Sequence, residues 1–393
     1  MPSTKPESIW TIAFALLCAT QFLGYAQYYL LQPTLALYVT HLGGSPFAVG
    51  LVIASFSITS VLFRPFVGYC ADYWSKTGVM ILGHLVQAVS IVLCFIPFVG
   101  AMMLANGFRG IGWAGMNTGG YTLLATNAPA ARRGEASGYY GGVQSSTTIL
   151  FPAVALWIIH ASFGSFHTVF IIAIVLSLLG AATAFALSHQ TAPDSLSLPT
   201  DSSEPWWRSI ISVFDRSIVL AAILLFCLNL PTSCLTSFVV LYAKEIGISN
   251  FGLYFVVTGV TSLLARPLLG RLSDRIGRAR SLVLAYTFEI IGLCLFSVVT
   301  SLIGFMFAGA LYFMGSGIGT ATIFAIVMEK APPECRGRAM ASFSLAFSLS
   351  SGTGGLLSGL TVEVAGYSWM FMITAALCAL GFLPTGRYWS QLR

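Results

Sequence analysis

Long apolar runs without a charged residue fill most of this chain. One of them extends from Gly78 to Phe98 and contains no Asp, Glu, Lys or Arg. A helix needs about 20 apolar residues to cross a bilayer, so a chain of 393 residues has room for twelve crossings and their connections. Strands of a membrane barrel would instead alternate apolar and polar residues over about 10 positions. The pattern therefore predicts an all-α integral membrane protein.

Breaks between the runs divide the chain into twelve predicted transmembrane helices, called spans 1 to 12. They lie near 9–40, 47–70, 78–98, 101–126, 138–160, 165–187, 217–242, 251–272, 281–299, 302–328, 339–362 and 368–386.

The distribution of basic residues predicts the orientation of these spans. The two termini and the connections after even-numbered spans hold 17 of the 19 Lys and Arg, including span ends such as Arg64 and Arg266. The opposite side holds Lys244, and Arg109 lies within a span. Because Lys and Arg concentrate on the cytoplasmic side of membrane proteins, both termini are predicted to be cytoplasmic. External connections of only a few residues favour a bacterial cytoplasmic membrane.

The two halves of the chain repeat each other. RPFVGYCAD at 64–72 returns as RPLLGRLSD at 266–274, and APAARRGEA at 128–136 returns as APPECRGRA at 331–339. Parallel duplications of this kind occur in secondary transporters. The prediction is an N-terminal six-helix bundle at 1–187, a cytoplasmic linker at 188–213 that is rich in Ser, Pro and acidic residues, and a C-terminal six-helix bundle at 214–393.

The connection after span 8 resembles the signature loop of the major facilitator superfamily. It reads GRLSDRIGRAR, and the copy after span 2, GYCADYWSKTG, retains part of the same pattern. The resemblance implies two six-helix bundles related by pseudo-two-fold symmetry, with these loops acting as latches between access states. For the first copy, a plain solvated turn is the alternative. The predicted gating residues are Gly68, Asp72, Lys76, Gly270, Asp274, Arg275, Gly277 and Arg278.

Two further segments bear on the branch of the superfamily. NGFRGIGWAG in span 4 is similar to an Arg-x-x-x-Gly element of proton-coupled members, and FPAVAL in span 5 keeps only Pro152 of a motif found in drug/proton antiporters. The resemblance implies a secondary active transporter that exports a small organic molecule in exchange for protons. Proton-coupled or facilitated uptake of a metabolite such as a sugar or a carboxylate is the alternative.

Arg109 and Glu289 are the two ionisable residues well inside predicted spans, and both are predicted to serve coupling. A charged residue at the centre of a bilayer costs at least about 2.5–3.5 kcal/mol, so Arg109 should face a cavity. It would anchor a substrate anion or influence a titrating group, whereas a structural clamp to backbone carbonyls is the alternative. Apolar surroundings disfavour a charged carboxylate, which suits Glu289 to carrying a proton, although span 9 resembles a peripheral helix of the family.

Polar and aromatic side chains form the predicted substrate cavity, because the resemblance implies that spans 1, 4, 7 and 10 line it. In span 1 they recur at helical spacing on one face, and hydrogen bonding between helices is the alternative role. Such a lining suits amphiphilic or weakly acidic molecules. The predicted cavity residues are Gln21, Tyr25, Tyr28, Gln32, Trp113, Asn117, Tyr140, Gln144, Asn229, Thr232 and Thr236.

Other classes of function lack their motifs in this sequence. No pair of the 8 cysteines has metal-ligand spacing, so no metal or cofactor is predicted. There is no His-Glu-x-x-His, no Gly-x-Ser-x-Gly and no phosphate-binding loop, which argues against a membrane-embedded enzyme and against primary active transport. The predicted partners are a small-molecule substrate, protons and membrane lipid, without nucleic acid, and the predicted state is a monomer.

Overall fold

The computed structural model describes residues 9–127, 132–161, 164–190, 216–248, 250–330, 336–387 and 389. Within them the chain is helical and follows the twelve predicted spans. Spans 1 to 6 are Ile12–His41, Pro46–Tyr73, Lys76–Val92, Val99–Asn127, Arg133–His160 and Phe166–Ser188. Spans 8 to 11 are Gly252–Ile276, Arg278–Phe296, Leu302–Lys330 and Arg336–Ala365. Span 7 comprises Arg216–Asn229, a π-helical segment Cys234–Phe238, and Val239–Glu245. Span 12 comprises Tyr367–Ala379 and Phe382–Arg387.

Local sequence signals explain where several spans begin. Ser45, Ser75 and Ser165 each accept a hydrogen bond from a backbone N–H of the first helical turn, at 3.3, 3.0 and 3.2 Å. Serine is a preferred N-cap because its hydroxyl satisfies a donor that the helix leaves free. Gly277, with a φ of +87°, makes the tight junction between spans 8 and 9, a backbone conformation that glycine adopts without steric cost.

The spans differ in how apolar they are. Among the described residues, nine helices are long and apolar enough to cross a membrane, and span 8 adds a shorter apolar stretch, Gly252–Ala265. Spans 1 and 4 are long enough but are not among the nine. They carry six of the eleven residues predicted to line the cavity, as expected of helices that face a polar interior rather than lipid.

Small residues set the packing inside each half. A Cβ atom on Gly83 of span 3 would lie 2.5 Å from the Met116 backbone nitrogen of span 4, and one on Gly315 of span 10 would lie 2.5 Å from the Ala285 carbonyl oxygen of span 9. These are equivalent span pairs in the two halves. Close approach of backbones through glycine is a common way to pack helices within a membrane.

In the described part of the chain, the main contacts between the two halves join span 2 with span 11, span 5 with span 8, and span 1 with span 7. We call the end of the bundle where span 1 begins the terminal end, and the opposite end, where span 2 begins, the distal end. The described contacts between the halves lie mostly toward the distal end. There, a Cβ atom on Gly359 of span 11 would lie 2.5 Å from the Pro46 carbonyl oxygen, and one on Gly259 of span 8 would lie 2.5 Å from Ile149 of span 5.

Candidate substrate site

Aromatic rings from spans 1, 2 and 4 form the centre of the candidate site. The ring of Trp113 lies 4.6 Å from that of Tyr25 and 4.4 Å from that of Tyr28, between ring centroids. Phe56 of span 2 adds a fourth ring, 5.3 Å from Tyr28. We call these four residues the aromatic cluster. It brings together three of the predicted cavity residues, and it offers flat apolar surfaces beside polar groups.

Arg109 lies next to the aromatic cluster and is only 3% exposed. Its Nη1 donates a hydrogen bond to Asn106 Oδ1, and Asn106 Nδ2 donates to the Val52 carbonyl oxygen of span 2 at 2.6 Å. The guanidinium carbon lies 5.7 Å from the centroid of the Phe56 ring, within range of a cation–π interaction. Asn106 therefore holds the guanidinium in place and leaves its charge intact.

Part of the hydrogen-bonding capacity of Arg109 is unused. Among the described residues its buried Nε has no hydrogen-bond partner, and none of the described ion pairs includes it. A small cavity opens beside it. The cavity is lined by Tyr28, Gln32, Leu35, Ala36, Val49, Val52, Ile53, Phe56, Ser57, Asn106, Arg109 and Ser351. An unpaired cation beside a cavity of this lining is suited to binding a ligand with negative charge.

Two predicted cavity residues of span 1, Gln21 and Tyr25, both bond to Asn117 of span 4. Its Oδ1 accepts hydrogen bonds from Tyr25 Oη at 3.1 Å and from Gln21 Nε2 at 3.4 Å. Nearer the distal end, Gln32 Oε1 accepts a hydrogen bond from Ser237 Oγ of span 7 at 3.0 Å. Gln32 therefore lines the cavity and also contacts the other half of the protein.

The two predicted residues of span 5 lie on the terminal side of the cluster. Tyr140 is buried, and among the described residues its hydroxyl has no hydrogen-bond partner. The Gln144 amide and the Tyr121 hydroxyl lie within hydrogen-bond distance, at 3.2 to 3.3 Å, and Tyr121 is 42% exposed. This part of the site is therefore accessible from the terminal end.

The predicted residues of span 7 are engaged within the second half. Asn229 Nδ2 donates to Ser350 Oγ of span 11 at 2.8 Å, Thr232 Oγ1 donates to Asn229 Oδ1 at 2.8 Å, and Thr236 Oγ1 donates to the Thr232 carbonyl oxygen at 2.9 Å. None of the three lines the cavity beside Arg109. Their described hydrogen bonds run between and within helices of the second half.

Glu289 lies apart from the aromatic cluster, among spans 9, 10 and 12. It is fully buried, and its Oε2 accepts a hydrogen bond from Cys378 Sγ at 3.2 Å. The Ser316 side chain is a second hydrogen-bond partner of this carboxyl. Tyr312 lies within electrostatic range of this carboxyl, and the Tyr312 hydroxyl lies 3.5 Å from Thr232 Oγ1. Polar groups thus extend from Glu289 toward span 7.

The predicted gating residues are only partly described. Gly68 lies in span 2 with open space around its Cα, Lys76 and Arg278 occupy the first positions of spans 3 and 9, and Gly277 makes the turn before span 9. Most of the predicted loop after span 8 is helical, because that helix continues to Ile276. For the remaining predicted residues only the backbone is described, and it lies in helices; they are Asp72, Gly270, Asp274 and Arg275.

Arg64 was predicted only as one of the basic residues at the span ends. Its contacts near the candidate site were not predicted. The structure places its guanidinium against span 11 of the other half, where it donates to Ser344 Oγ and, at 3.5 Å, to Ser348 Oγ. Its Nε is buried without a described partner, and Tyr25 and Tyr121 lie within electrostatic range. Phe56 and Arg64 are about two helical turns apart, which places both toward one face of span 2. This spacing is the sequence signal that could have predicted the position of Arg64.

Comparison with known proteins identifies the family. The sequence profile of the Major Facilitator Superfamily matches residues 17–262 and 221–390. The chain belongs to this superfamily. It is therefore a multi-pass membrane protein and a secondary transporter of small molecules, not an enzyme, and the resemblance seen in its signature loops is confirmed.

Individual relatives and a solved structure agree with this assignment. Multidrug resistance protein MdtG of Proteus mirabilis is 24% identical over 91% of this chain and 90% of its own length. A homologue of the multidrug efflux pump PmrA in Lactococcus lactis is 24% identical over 86% of this chain and 84% of its own length. The crystal structure of the nucleoside transporter NupG superposes with a TM-score of 0.73 over 96% of this chain and 99% of its own, at 15% identity. The last likeness confirms the predicted fold.

Proposed function

We propose that this transporter exports a small organic molecule across the bacterial cytoplasmic membrane in exchange for protons, as a monomer, with both termini in the cytoplasm. The observation that carries the direction of transport is that relatives aligned over most of the chain are named multidrug efflux pumps. The site supports it, since an aromatic cluster beside a buried cation provides surfaces for an amphiphilic substrate. Uptake of a sugar or carboxylate is the second candidate, favoured by the loss of the antiporter glycines around Pro152.

The orientation rests on charge. With both termini in the cytoplasm, the terminal end faces inward and carries the excess of Lys and Arg that the positive-inside rule requires. The exposed Tyr121 would then contact the cytoplasm, and the glycine-rich contacts between spans 2 and 11 would close the external side. The described arrangement corresponds to an inward-facing state, from which rocking of the two halves would expose the site to the outside.

Arg109 and Glu289 take different roles in this proposal. Arg109 contacts the cavity and binds the substrate or senses its arrival. Glu289 is the proton carrier, because it is a fully buried carboxyl without a described cationic partner, and Tyr312 and Thr232 connect its surroundings to span 7. Proton movement along these groups would reach the helix that contacts Gln32 across the interface.

Inside-out membrane vesicles provide the direct test. Vesicles containing the protein are energised to an acid interior, and a pH-sensitive dye reports proton leakage when amphiphiles, weak acids and sugars are added. Export in exchange for protons predicts that at least one compound dissipates the gradient. Arg109→Ala should abolish this response, whereas Arg387→Ala, which removes an exposed basic residue at the end of span 12, should leave it intact.

One result would overturn the proposed direction of transport, and another would overturn the proposed role of Arg109. If no compound releases protons while whole cells accumulate a labelled sugar or carboxylate, the protein is an uptake system. If Arg387→Ala and Arg109→Ala reduce the response equally, then the effect of Arg109 is not specific to the site.

The role of Glu289 has its own test in the same vesicles. Glu289→Gln preserves the shape of the side chain and removes its titration, so substrate binding should persist while substrate-induced proton release falls to background. The matched control is Glu135→Gln, which alters a carboxylate paired with Arg132 at 2.9 Å near the start of span 5. Undiminished proton release in Glu289→Gln would assign coupling to another group.

A further inference from the structure

We infer that the substrate is an organic anion with a planar aromatic group, held between the two guanidinium groups of Arg64 and Arg109 and against the aromatic cluster. The inference rests on the proposed transport function and narrows it to one chemical class.

The first argument is that neither of these two cations has a described carboxylate partner. The described hydrogen-bond partners of Arg109 and Arg64 are the neutral groups of Asn106, Ser344 and Ser348. Electrostatic contacts of both guanidinium groups in the described part of the chain involve Tyr and Cys side chains and no carboxylate. Charges inside membrane spans are normally paired or serve a ligand or ion pathway. An anionic ligand would supply the missing charge.

Spare hydrogen-bond donors supply the second argument. The Nε atoms of both Arg64 and Arg109 are buried, and neither has a partner among the described residues. An unsatisfied buried donor costs about 1–3 kcal/mol, a cost that a carboxylate or sulfonate oxygen would remove. Hydrogen bonds between a guanidinium and an oxyanion are about twice as strong as those between neutral groups. An anion would therefore compete well against the Ser344 and Ser348 hydroxyls.

The aromatic cluster lies between these two cations. Tyr25 is within electrostatic range of Arg64, and Tyr28 is within electrostatic range of Arg109. Both tyrosine rings pack on Trp113. A planar group that packs on these rings would place its acidic substituent near either guanidinium, and Arg64 would be met first from the terminal end.

Lipophilic cations fit this site poorly. The described cavity lining contains hydroxyls, amides, aromatic rings and Arg109, and no acidic residue. A cation would therefore meet like charge in surroundings of low polarity, where repulsion is strong. The site is thus expected to discriminate by charge even among molecules of the same shape.

The test uses three probes with one ring system: 1-naphthoate, neutral 1-naphthalenemethanol and cationic 1-naphthylmethylammonium. Their binding to the full-length protein in lipid nanodiscs is measured by isothermal titration calorimetry at neutral pH. We expect 1-naphthoate to bind about tenfold or more tightly than the ammonium compound, which is the size of effect that one charge-assisted interaction produces. Equal or tighter binding of the ammonium compound would overturn the inference.

Substitutions then assign the contacts. Arg64→Gln and Arg109→Gln should each reduce the affinity for 1-naphthoate about tenfold and leave that for 1-naphthalenemethanol within twofold, while Arg64→Lys and Arg109→Lys retain part of the preference. The neutral probe shows that a variant is folded. If both charge-removing variants bind the anion as the unmodified protein does, the cations do not form the site. Even if a variant fails to fold, the comparison of the three probes in the unmodified protein decides the chemical class of the substrate.

Flux measurements separate this inference from the proposed function. Proton release caused by the ammonium compound and not by 1-naphthoate would support export and refute the anionic class. Tight, arginine-dependent binding of 1-naphthoate without flux of any probe would support the anion site and refute export.

Discussion

Trp113 is the residue on which the aromatic cluster depends. Its ring lies within 4.6 Å of Tyr25, 4.4 Å of Tyr28 and 6.0 Å of Phe56, between centroids. Aromatic pairs contribute about 0.5–1.5 kcal/mol each beyond the area that they bury. Removing this ring therefore withdraws a contact surface for substrate and loosens the rings that remain.

We predict that Trp113→Ala weakens binding of 1-naphthoate about tenfold. The measurement is calorimetric titration in nanodiscs. The matched control is Trp157→Ala, because Trp157 of span 5 is 73% exposed on the outside of the bundle and should not affect affinity. Similar affinities in the two variants would mean that the cluster supports the fold and does not contact substrate.

At the scale of helices, glycine determines how closely spans 2 and 11 approach. A Cβ atom on Gly359 would lie 2.5 Å from the Pro46 carbonyl oxygen and 3.0 Å from the Gly50 Cα. Backbone atoms cannot move aside as a flexible side chain can. We predict that Gly359→Val forces the two spans apart, at a cost of about 1–3 kcal/mol, and lowers the thermal stability of the purified protein. Gly386→Val, at a position with open space, is the control, and equal melting temperatures would refute the close contact.

A carboxylate from the second half caps the first turn of span 2. Glu363 Oε2 accepts a hydrogen bond from the Phe47 backbone N–H at 2.9 Å, and the Ser45 hydroxyl also bonds to this carboxylate. Negative charge near a helix N-terminus stabilises the helix. Because the cap crosses between the halves, it favours closure of the distal end.

We predict that Glu363→Gln raises the accessibility of the distal entrance, because the neutral side chain caps span 2 more weakly. The readout is the rate at which a membrane-impermeant maleimide labels Val49→Cys, at a position that is 1% exposed in the cavity lining. Glu245→Gln, at the distal end of span 7, should leave the rate unchanged. A rate unaffected by Glu363→Gln would show that the cap does not contribute to closure.

The sequence predicts the helices well because lipid leaves a chain few alternatives. Every backbone group must be bonded within the membrane, so apolar runs become helices whose ends lie within several residues of the predicted ones. The side-chain partners were harder to predict, because they depend on tertiary contacts. Nothing in the pattern around Asn229 distinguishes a cavity residue from one bonded to span 11. Arg64 was missed because its serine partners lie in the other half.

At the scale of the whole molecule, the internal repeat organises the contacts between the halves. Span 2 corresponds to span 8, and span 5 to span 11, so the pairs 2 with 11 and 5 with 8 are equivalent under the pseudo-two-fold axis. Both pairs meet toward the distal end. Rocking of the halves about a line in the membrane plane would separate both pairs together, because the pseudo-two-fold axis runs along the membrane normal. The duplication itself thus gives alternating access a mechanical basis.

Fixing the distal contact should therefore stop transport. Ser45 and Glu363 lie within hydrogen-bonding distance across the two halves, and the described native cysteines are buried or half-buried. We predict that a short, membrane-impermeant bis-thiosulfonate links Ser45→Cys to Glu363→Cys when added outside whole cells, blocks transport, and loses its effect after reduction. Each single-cysteine variant should be labelled and remain active, because one cysteine cannot join the halves. Transport that continues in the linked protein would mean that spans 2 and 11 do not separate at this end. Linking that succeeds only in inside-out vesicles would reverse the proposed orientation, because the distal end would then face the cytoplasm.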